Sequence, residues 1–326
     1  MYIVTGGAGF IGSAFVWKLN QQGCDDIVVV DNLATSDKWK NLVGLRYREY
    51  MHKTAFLEHV LHDEWEGPLT AVVHMGACSA TTEPDADYLM ENNVFYSKVL
   101  AQFALERNAR FLYASSAATY GDGALGFDDE PAGLDALLPL NMYGYSKQLF
   151  DLWVKENGLL ERVAGLKFFN VYGPNEYHKS DMKSVICKAF SQVKEQGRIR
   201  LFKSYHPDYG DGESLRDFVY IKDCVDVMWW LLEHPEVSGI FNLGTGVAAS
   251  WNELAHAVFA AMELPVHIEY IDMPEALRGK YQYFTQARMD RLRQAGYSGT
   301  FCPLAEGAKD YVRGYLQAEN PYFLSR

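Results

Sequence analysis

The chain has 326 residues, of which 48% are hydrophobic and 22% charged, enough apolar material for a continuous core and too much for global disorder. At about 150 residues per domain it has room for two lobes. Its net charge of −12, without a basic block, argues against nucleic acid as a partner. Five scattered cysteines with no C-x-x-C pair fit reduced thiols in a cytoplasm and no metal site. No signal-like leader and no run of 18 uncharged apolar residues is present, so a soluble cytoplasmic protein is expected, neither secreted nor membrane-spanning.

Short β-branched runs alternate with helical patterns through the first two-thirds. Tyr2 to Thr5 reads as a strand, Phe10 to Gln21 as a helix, and Ile27 to Val30, Ala71 to His74, Phe111 to Ala114 and Val163 to Phe168 as further strands. Strands apolar throughout are buried on both faces, which predicts an α/β fold: a Rossmann-type doubly wound parallel sheet with right-handed crossovers. After Asn170, Gly173-Pro174, the polar stretch Tyr205 to Ser214 and further prolines break up shorter elements. The expected division is a dinucleotide-binding domain over residues 1–170 and a smaller α/β substrate-binding lobe over 171–326. The chain is expected to return to the first domain near 217–246 and 280–288.

Gly6-Gly7-Ala8-Gly9-Phe10-Ile11-Gly12 directly follows the first strand and opens the first helix, the setting a dinucleotide site requires. Gly6, Gly9 and Gly12 permit the tight turn, the close approach of backbone to pyrophosphate, and the packing of helix on strand. Asp31-Asn32 ends the second strand about twenty residues on, where an acid meets a ribose hydroxyl and favours NAD. Lys38 and Lys53 follow soon after and can reach a 2′-phosphate, so NADP and NAD both stay open.

Tyr143 and Lys147 are four apart on a helical segment, hence on one face and one turn from each other. A phenol with an ordinary pKa near 10 becomes a usable base when an ammonium and a cationic nicotinamide ring favour its phenolate. Ser116, at the carboxyl end of the strand Phe111 to Ala114, stands where such sheets bind ligands and can hydrogen-bond the same substrate oxygen.

With these in place the sequence resembles the extended short-chain dehydrogenase/reductases that act on nucleotide sugars, and within them the epimerases. The likeness runs through Gly6 to Gly12, Asp31-Asn32, His74 to Ser79 (H-M-G-A-C-S), Ser115 to Gly121 and Asn141 to Lys147. It continues in Phe169 to Pro174, Glu176 to Lys179 (E-Y-H-K), Arg216 to Tyr220, Phe241 to Gly246 and Gly279 to Gln286 (G-K-Y-Q-Y-F-T-Q). The resemblance implies cofactor contacts at Phe10, Ile11, Met75, Gly76, Ala77, Cys78, Ser79, Asn92, Lys147, Val171 and Lys179. For the substrate it implies Ser116, Asn170, Asp181, Lys188, Phe202, Lys203, Ser204, Tyr205, Arg216 and Tyr281, with the Arg216 fork suited to a diphosphate.

Dehydratases of the group usually carry an acid pair after the strand-end serine; Ala117 and Ala118 stand there, which argues against elimination of water. Inverting an unactivated carbinol by oxidation and re-reduction requires the ketone to present its other face, and a second acid/base then serves the relocated oxygen. The resemblance supplies Lys179 for that task, with Ser116, Tyr143 and Lys147 as the first set. The implied reaction is inversion at C6 of an ADP-activated heptose for lipopolysaccharide core, with one tightly bound NADP (or NAD) per subunit. The resemblance also implies a homo-oligomer, a pentamer. A C4 epimerase of a UDP-hexose, a net reductase, or a non-catalytic NAD(P)-binding protein are the alternatives. Ser180-Asp181 replaces a common Gly-Ser, Lys188 stands where some members have histidine, and Met75 replaces a frequent Glu.

Overall fold

The computed structural model describes residues 1–278 and 281–325. Its main sheet has seven parallel strands: β1 (Tyr2–Thr5), β2 (Ile27–Asp31), β3 (Glu49–His52), β4 (Ala71–His74), β5 (Arg110–Ser116), β6 (Val163–Phe168) and, from late in the chain, Gly239–Leu243. In space they run β3-β2-β1-β4-β5-β6 and then the late strand. Tyr2 pairs with Ile27 on one side and Ala71 on the other, so the order reverses at β1 and opens a crevice between the ends of β1 and β4. All residues of β2, β4 and β6 are buried, as helices on both faces require. These helices include α1 (Phe10–Gln21), α2 (Lys53–Leu61), α3 (Ala86–Leu89), α4 (Tyr96–Glu106) and α5 (Met142–Glu156); a π-helical turn, Met90–Phe95, joins α3 to α4. Among the described residues no helix is long and apolar enough to cross a membrane.

β3 goes beyond the sequence expectation, because Glu-Tyr-Met-His lacks an apolar run; as an edge strand it needs only its backbone to pair with Val28 to Asp31. β5 is longer than expected and carries Ser115 and Ser116 on its end.

The remaining strands form a three-stranded sheet of β7 (Asn170–Tyr172), β9 (Leu215–Tyr220) and β11 (Ala248–Ser250), and a two-stranded parallel sheet of β8 (Ile199–Phe202) and β12 (Ile268–Ile271); the late strand of the main sheet is β10. Helices near them include α6 (Val185–Gln196), α7 (Ile221–Glu233), α8 (Trp251–Met262) and the helix Leu304–Tyr311, which packs on α8. α7 packs on α1 and β10 joins the main sheet, whereas β9 pairs with β7 and β11. Its Asp217 is buried and accepts from the backbone of Thr245, Gly246 and Ala287, which fixes it at the junction. Residues 283–285 run beside β9 through Leu215, outside the main sheet. The final residues fold back on α1, where Phe323 stacks on Trp17 with ring centroids 4.4 Å apart.

Candidate active site

At the crevice, Gly6 has φ +64°, and a Cβ there would lie 2.6 Å from the Gly76 nitrogen. A Cβ on Gly12 would lie 2.1 Å from the Gly6 carbonyl oxygen. Only glycines let the turn press against Met75 and Gly76 while α1 presents its first N–H groups to the groove. Asp31 is buried at the end of β2; it accepts from Ala8 N–H (2.9 Å) and Asn32 N–H (2.6 Å) and pairs with Lys38 Nζ at 2.7 Å. Lys53 donates to Asn92 Oδ1 at 2.6 Å. A small cavity of about 100 Å³ is lined by Asp31, Asn32, Lys38, Lys53 and Asn92, so residues expected from four separate segments meet in one place. The close-packed glycine turn, the helix start and this polar end fit a nicotinamide dinucleotide.

The adjoining cavity, about 460 Å³, is lined by Gly6 and Gly9 to Gly12 of the turn, by Asp31 and Lys38, and by Ser116, Tyr143, Lys147, Asn170, Val171 and Lys179. Ser116 ends β5 and caps the following turn by accepting Ala118 N–H (3.1 Å). Asn141 caps α5 through Gly144 N–H (2.8 Å), and a Cβ at Gly144 would sit 2.6 Å from the Ala118 carbonyl oxygen. That close approach sets Tyr143 and Ser116 in the lining of the same cavity. Burial raises the Tyr143 pKa, the Ser116 hydrogen bond lowers it, and the neighbouring Cys78 raises it. One turn on, Lys147 donates to the Ala114 carbonyl at 2.8 Å, and burial brings it down to about 8.

Behind these groups lies a cluster that sequence reasoning missed. Asp151 accepts from Tyr113 (2.9 Å), Ser115 (2.7 Å) and Lys167 (2.7 Å), and Lys167 also donates to Thr119 (2.7 Å); both charged residues are fully buried. The available signal was a lysine inside an otherwise apolar strand.

Lys179 enters from another wall, on the 3-10 turn Tyr177–Met182. Its Nζ lies 5.2 Å from the centroid of the Phe10 ring, and burial lowers its pKa against the opposing pull of Glu176. His178 is held at Asn41 (3.3 Å), outside the cavity lining, and burial pushes it down to about 4, which suits a neutral neighbour. Asp181 is exposed, and Lys188 donates to its carbonyl at 2.6 Å instead of lining the cavity.

Of the expected substrate contacts, Arg216 is buried, with its guanidinium 5.6 Å from the Trp251 ring and 5.3 Å from the Tyr281 ring. It donates to the carbonyls of Leu215 and Gln282 and has no carboxylate partner among the described residues. Trp251 Nε1 donates to the Tyr281 hydroxyl at 2.8 Å. Lys203 and Tyr205 gather on Asp272, at 3.2 and 3.1 Å; they, Phe202 and Ser204, and also Arg216 and Tyr281, lie outside the lining of the main cavity. Cys78 lies beside it, its backbone pinned by both ends of the Asn93 amide. Phe218, Trp251 and Leu254 line the cavity without having been anticipated. Gly279 and Lys280 of the G-K-Y-Q-Y-F-T-Q stretch fall outside the described residues. Among the described residues no His, Cys, Asp and Glu side chains cluster as a metal site.

The model of the NAD dependent epimerase/dehydratase family matches residues 2–244. The ADP-L-glycero-D-manno-heptose-6-epimerase of Nitratidesulfovibrio vulgaris strain DP4 is 63% identical over 322 residues, covering 99% of this chain and all of its own. The enzyme of that name from Fusobacterium nucleatum is 50% identical over 331 residues, covering 99% of this chain and all of its own. Among solved structures, Helicobacter pylori ADP-L-glycero-D-manno-heptose-6-epimerase is similar with a TM-score of 0.81 and 27% identity, over 96% of this chain and 95% of its own.

Proposed function

The chain belongs to the NAD dependent epimerase/dehydratase family, and from that premise we propose that it interconverts ADP-D-glycero-β-D-manno-heptose and its L-glycero epimer by inversion at C6. The reading is supported by full-length relatives of that name at up to 63% identity. The observation that supports the chemistry is that one cavity is lined by two candidate proton-transfer groups on separate elements: Tyr143 with Ser116 and Lys147 from β5 and α5, and Lys179 from the turn after Glu176.

The chemistry a bound nicotinamide dinucleotide would supply here is hydride transfer, removal of the C6 hydrogen with its electron pair and its return to the opposite face. Residues Gly6 to Gly12 and 75–79 would hold the dinucleotide, with Lys147 at the nicotinamide ribose. Lys38 and Lys53 favour NADP, tightly held, one per subunit. Burial opposes the Tyr143 phenolate, and the Ser116 hydrogen bond, with the Lys147 ammonium one turn away and a cationic nicotinamide ring, would favour it; Tyr143 then accepts the C6 hydroxyl proton of one epimer while Ser116 donates to the same oxygen. The C6 ketone turns about its bond to the ring, its oxygen moves toward Lys179, and Lys179 supplies the proton that completes the other epimer. Run backwards, Lys179 must be neutral, and burial among Phe10 and the turn backbone favours that form. Arg216 is the candidate diphosphate ligand. The same reading makes the protein a cytoplasmic homo-oligomer, a pentamer by resemblance, that supplies heptose for lipopolysaccharide core.

Proton NMR of ADP-D-glycero-D-manno-heptose incubated with purified protein and no added cofactor tests this. Appearance of the L-glycero epimer supports it. An unchanged heptose alongside demonstrably bound cofactor overturns it and moves the assignment to a hexose.

A further inference from the structure

The turn that carries Lys179 is broken at Ser180, whose φ is +45°, so its position is not set by helical geometry alone. Asn175, fully buried at φ +75°, holds its N-terminal side. The Asn175 Nδ2 donates to Ser13 of α1 (2.9 Å), its carbonyl accepts from Asn41 (3.0 Å), and its Oδ1 accepts the backbone N–H of Phe323 (3.1 Å). Tyr177, two residues before Lys179, donates to the Pro321 carbonyl (2.8 Å), and its ring meets Tyr322 edge-on at 5.3 Å.

The segment that receives these contacts is fastened from behind. Phe323 is 1% exposed and stacked on Trp17, whose indole N–H donates to the Leu324 carbonyl at 3.2 Å. Ser325 N–H donates to the Gly44 carbonyl (3.1 Å), and its hydroxyl bonds Asn20 of α1 at 2.7 Å. One face of the segment is therefore tied to the dinucleotide-binding domain, and the other to residues four and two positions before Lys179.

We infer that Pro321–Ser325 is a strap that positions Lys179 for proton transfer, acting through Asn175 and Tyr177. The inference rests on the proposed role of Lys179. Its physical basis is preorganisation: a long flexible side chain on an irregular turn transfers a proton efficiently only where the backbone beneath it is held, and misplacement by about 1 Å can cost 100-fold. None of the strap's hydrogen bonds or ring contacts among the described residues reaches Ser116, Tyr143 or Lys147, so its loss falls on one of the two proton transfers.

The test is single-turnover reduction of the bound nicotinamide, followed by its absorbance, with each heptose epimer in turn. The full chain is compared with Lys179→Met, Phe323→Ala, Phe323→Leu and Tyr177→Phe. Lys179→Met is expected to abolish oxidation of one epimer and spare the other. Phe323→Ala should slow that same epimer by about 10–100-fold with the other nearly unchanged, Phe323→Leu should recover much of the loss by refilling the space against Trp17, and Tyr177→Phe should give a smaller loss of the same asymmetry. If Phe323→Ala does not fold, Tyr177→Phe, which removes one hydroxyl, decides. Equal slowing of both epimers, or no slowing, in the strap variants while Lys179→Met separates them overturns the strap alone. Failure of Lys179→Met to separate the epimers overturns the role of Lys179 itself, and the strap with it.

Discussion

Two lysines reach the same cavity by opposite means. Lys147 sits one helical turn after Tyr143 on α5, with its ammonium on the Ala114 carbonyl, and its placement follows from the regular geometry of a capped helix and an adjacent strand. Lys179 sits on an irregular turn held by Asn175, Glu176 and Tyr177, whose partners include residues 148, 135 and 144 positions away. Glu176, buried, accepts from Ser184 and Tyr311 and so ties the turn to the α6 N-terminus and the Leu304–Tyr311 helix. A group placed by local geometry tolerates change far along the chain; a group placed by distant tethers does not. The difference between them is one of placement, and mutations can separate it.

The largest effect is expected on the helix side. Tyr143→Phe should lower epimerisation by about 10²–10⁴-fold, the usual worth of a positioned acid/base, with cofactor retained and the fold intact, measured by NMR of the heptose. Retained turnover would make Ser116 or Lys179 sufficient and remove the asymmetry between the two walls.

What was legible in the sequence follows the same division. The glycine turn, Asp31, the Ser116 strand end and the Tyr143–Lys147 spacing are short-range patterns whose physical reasons hold within one or two elements, and the structure brings them to one crevice. Lys179 came from family resemblance, because nothing in its spacing fixes where an irregular turn points. The contacts expected at Asp181, Lys188, Phe202 to Tyr205, Arg216 and Tyr281 lie outside the lining of the main cavity, and Trp251, Phe218 and Leu254 line it unannounced. Those positions depend on how β9, β11 and α8 pack, which no local period encodes. The edge strand β3 and the Asp151–Lys167 pair escaped for related reasons: one is specified by backbone pairing, the other by partners 16 residues apart.

The helix side should also be the costlier one to destabilise. Lys167→Met leaves Asp151 buried with its hydroxyl donors but without its cation, and breaking a buried pair in this way costs about 3–5 kcal/mol. Denaturant unfolding should report that loss, while Phe323→Leu in the strap changes the midpoint little. A Lys167→Met protein as stable as the parent would mean that the Tyr113 and Ser115 hydroxyls alone satisfy Asp151.

A smaller, pH-dependent loss is expected beside Lys147. His74 is buried between the Thr5 and Ser97 hydroxyls at 2.6 and 2.8 Å, and burial, helped by the Lys147 charge, pushes it down to about 3. Its folded pKa lies below the unfolded value near 6.5, so the unfolded chain binds more protons between those limits. The His74 contribution is complete above pH 6.5 and falls as pH drops toward 3, by at most ~1.4 kcal/mol per unit. Asp129 and Asp223, raised by burial to about 6, act with the opposite sign below that pH, so the informative quantity is the difference between the parent and His74→Gln. The variant should lose less stability than the parent between pH 7 and 4.5; identical slopes would mean that His74 is protonated in the folded state.

The smallest effect tests the far end of the cofactor groove, where the two sides of the cavity meet. Lys38 pairs with Asp31, and its charge also helps keep His178 neutral beside Lys179. Lys38→Ala removes a cation from the pocket that also contains Lys53 and bares the Asp31 carboxylate, and both changes oppose a 2′-phosphate. Loss of one charge-assisted contact predicts about a tenfold weaker hold on NADP, with NAD little affected because its ribose hydroxyl can still donate to Asp31. Competition between the two dinucleotides for the emptied protein measures the ratio. An equal loss for both would mean that Lys38 acts only through Asp31 and the Ala8 turn it supports, leaving Lys53 as the phosphate-selecting cation.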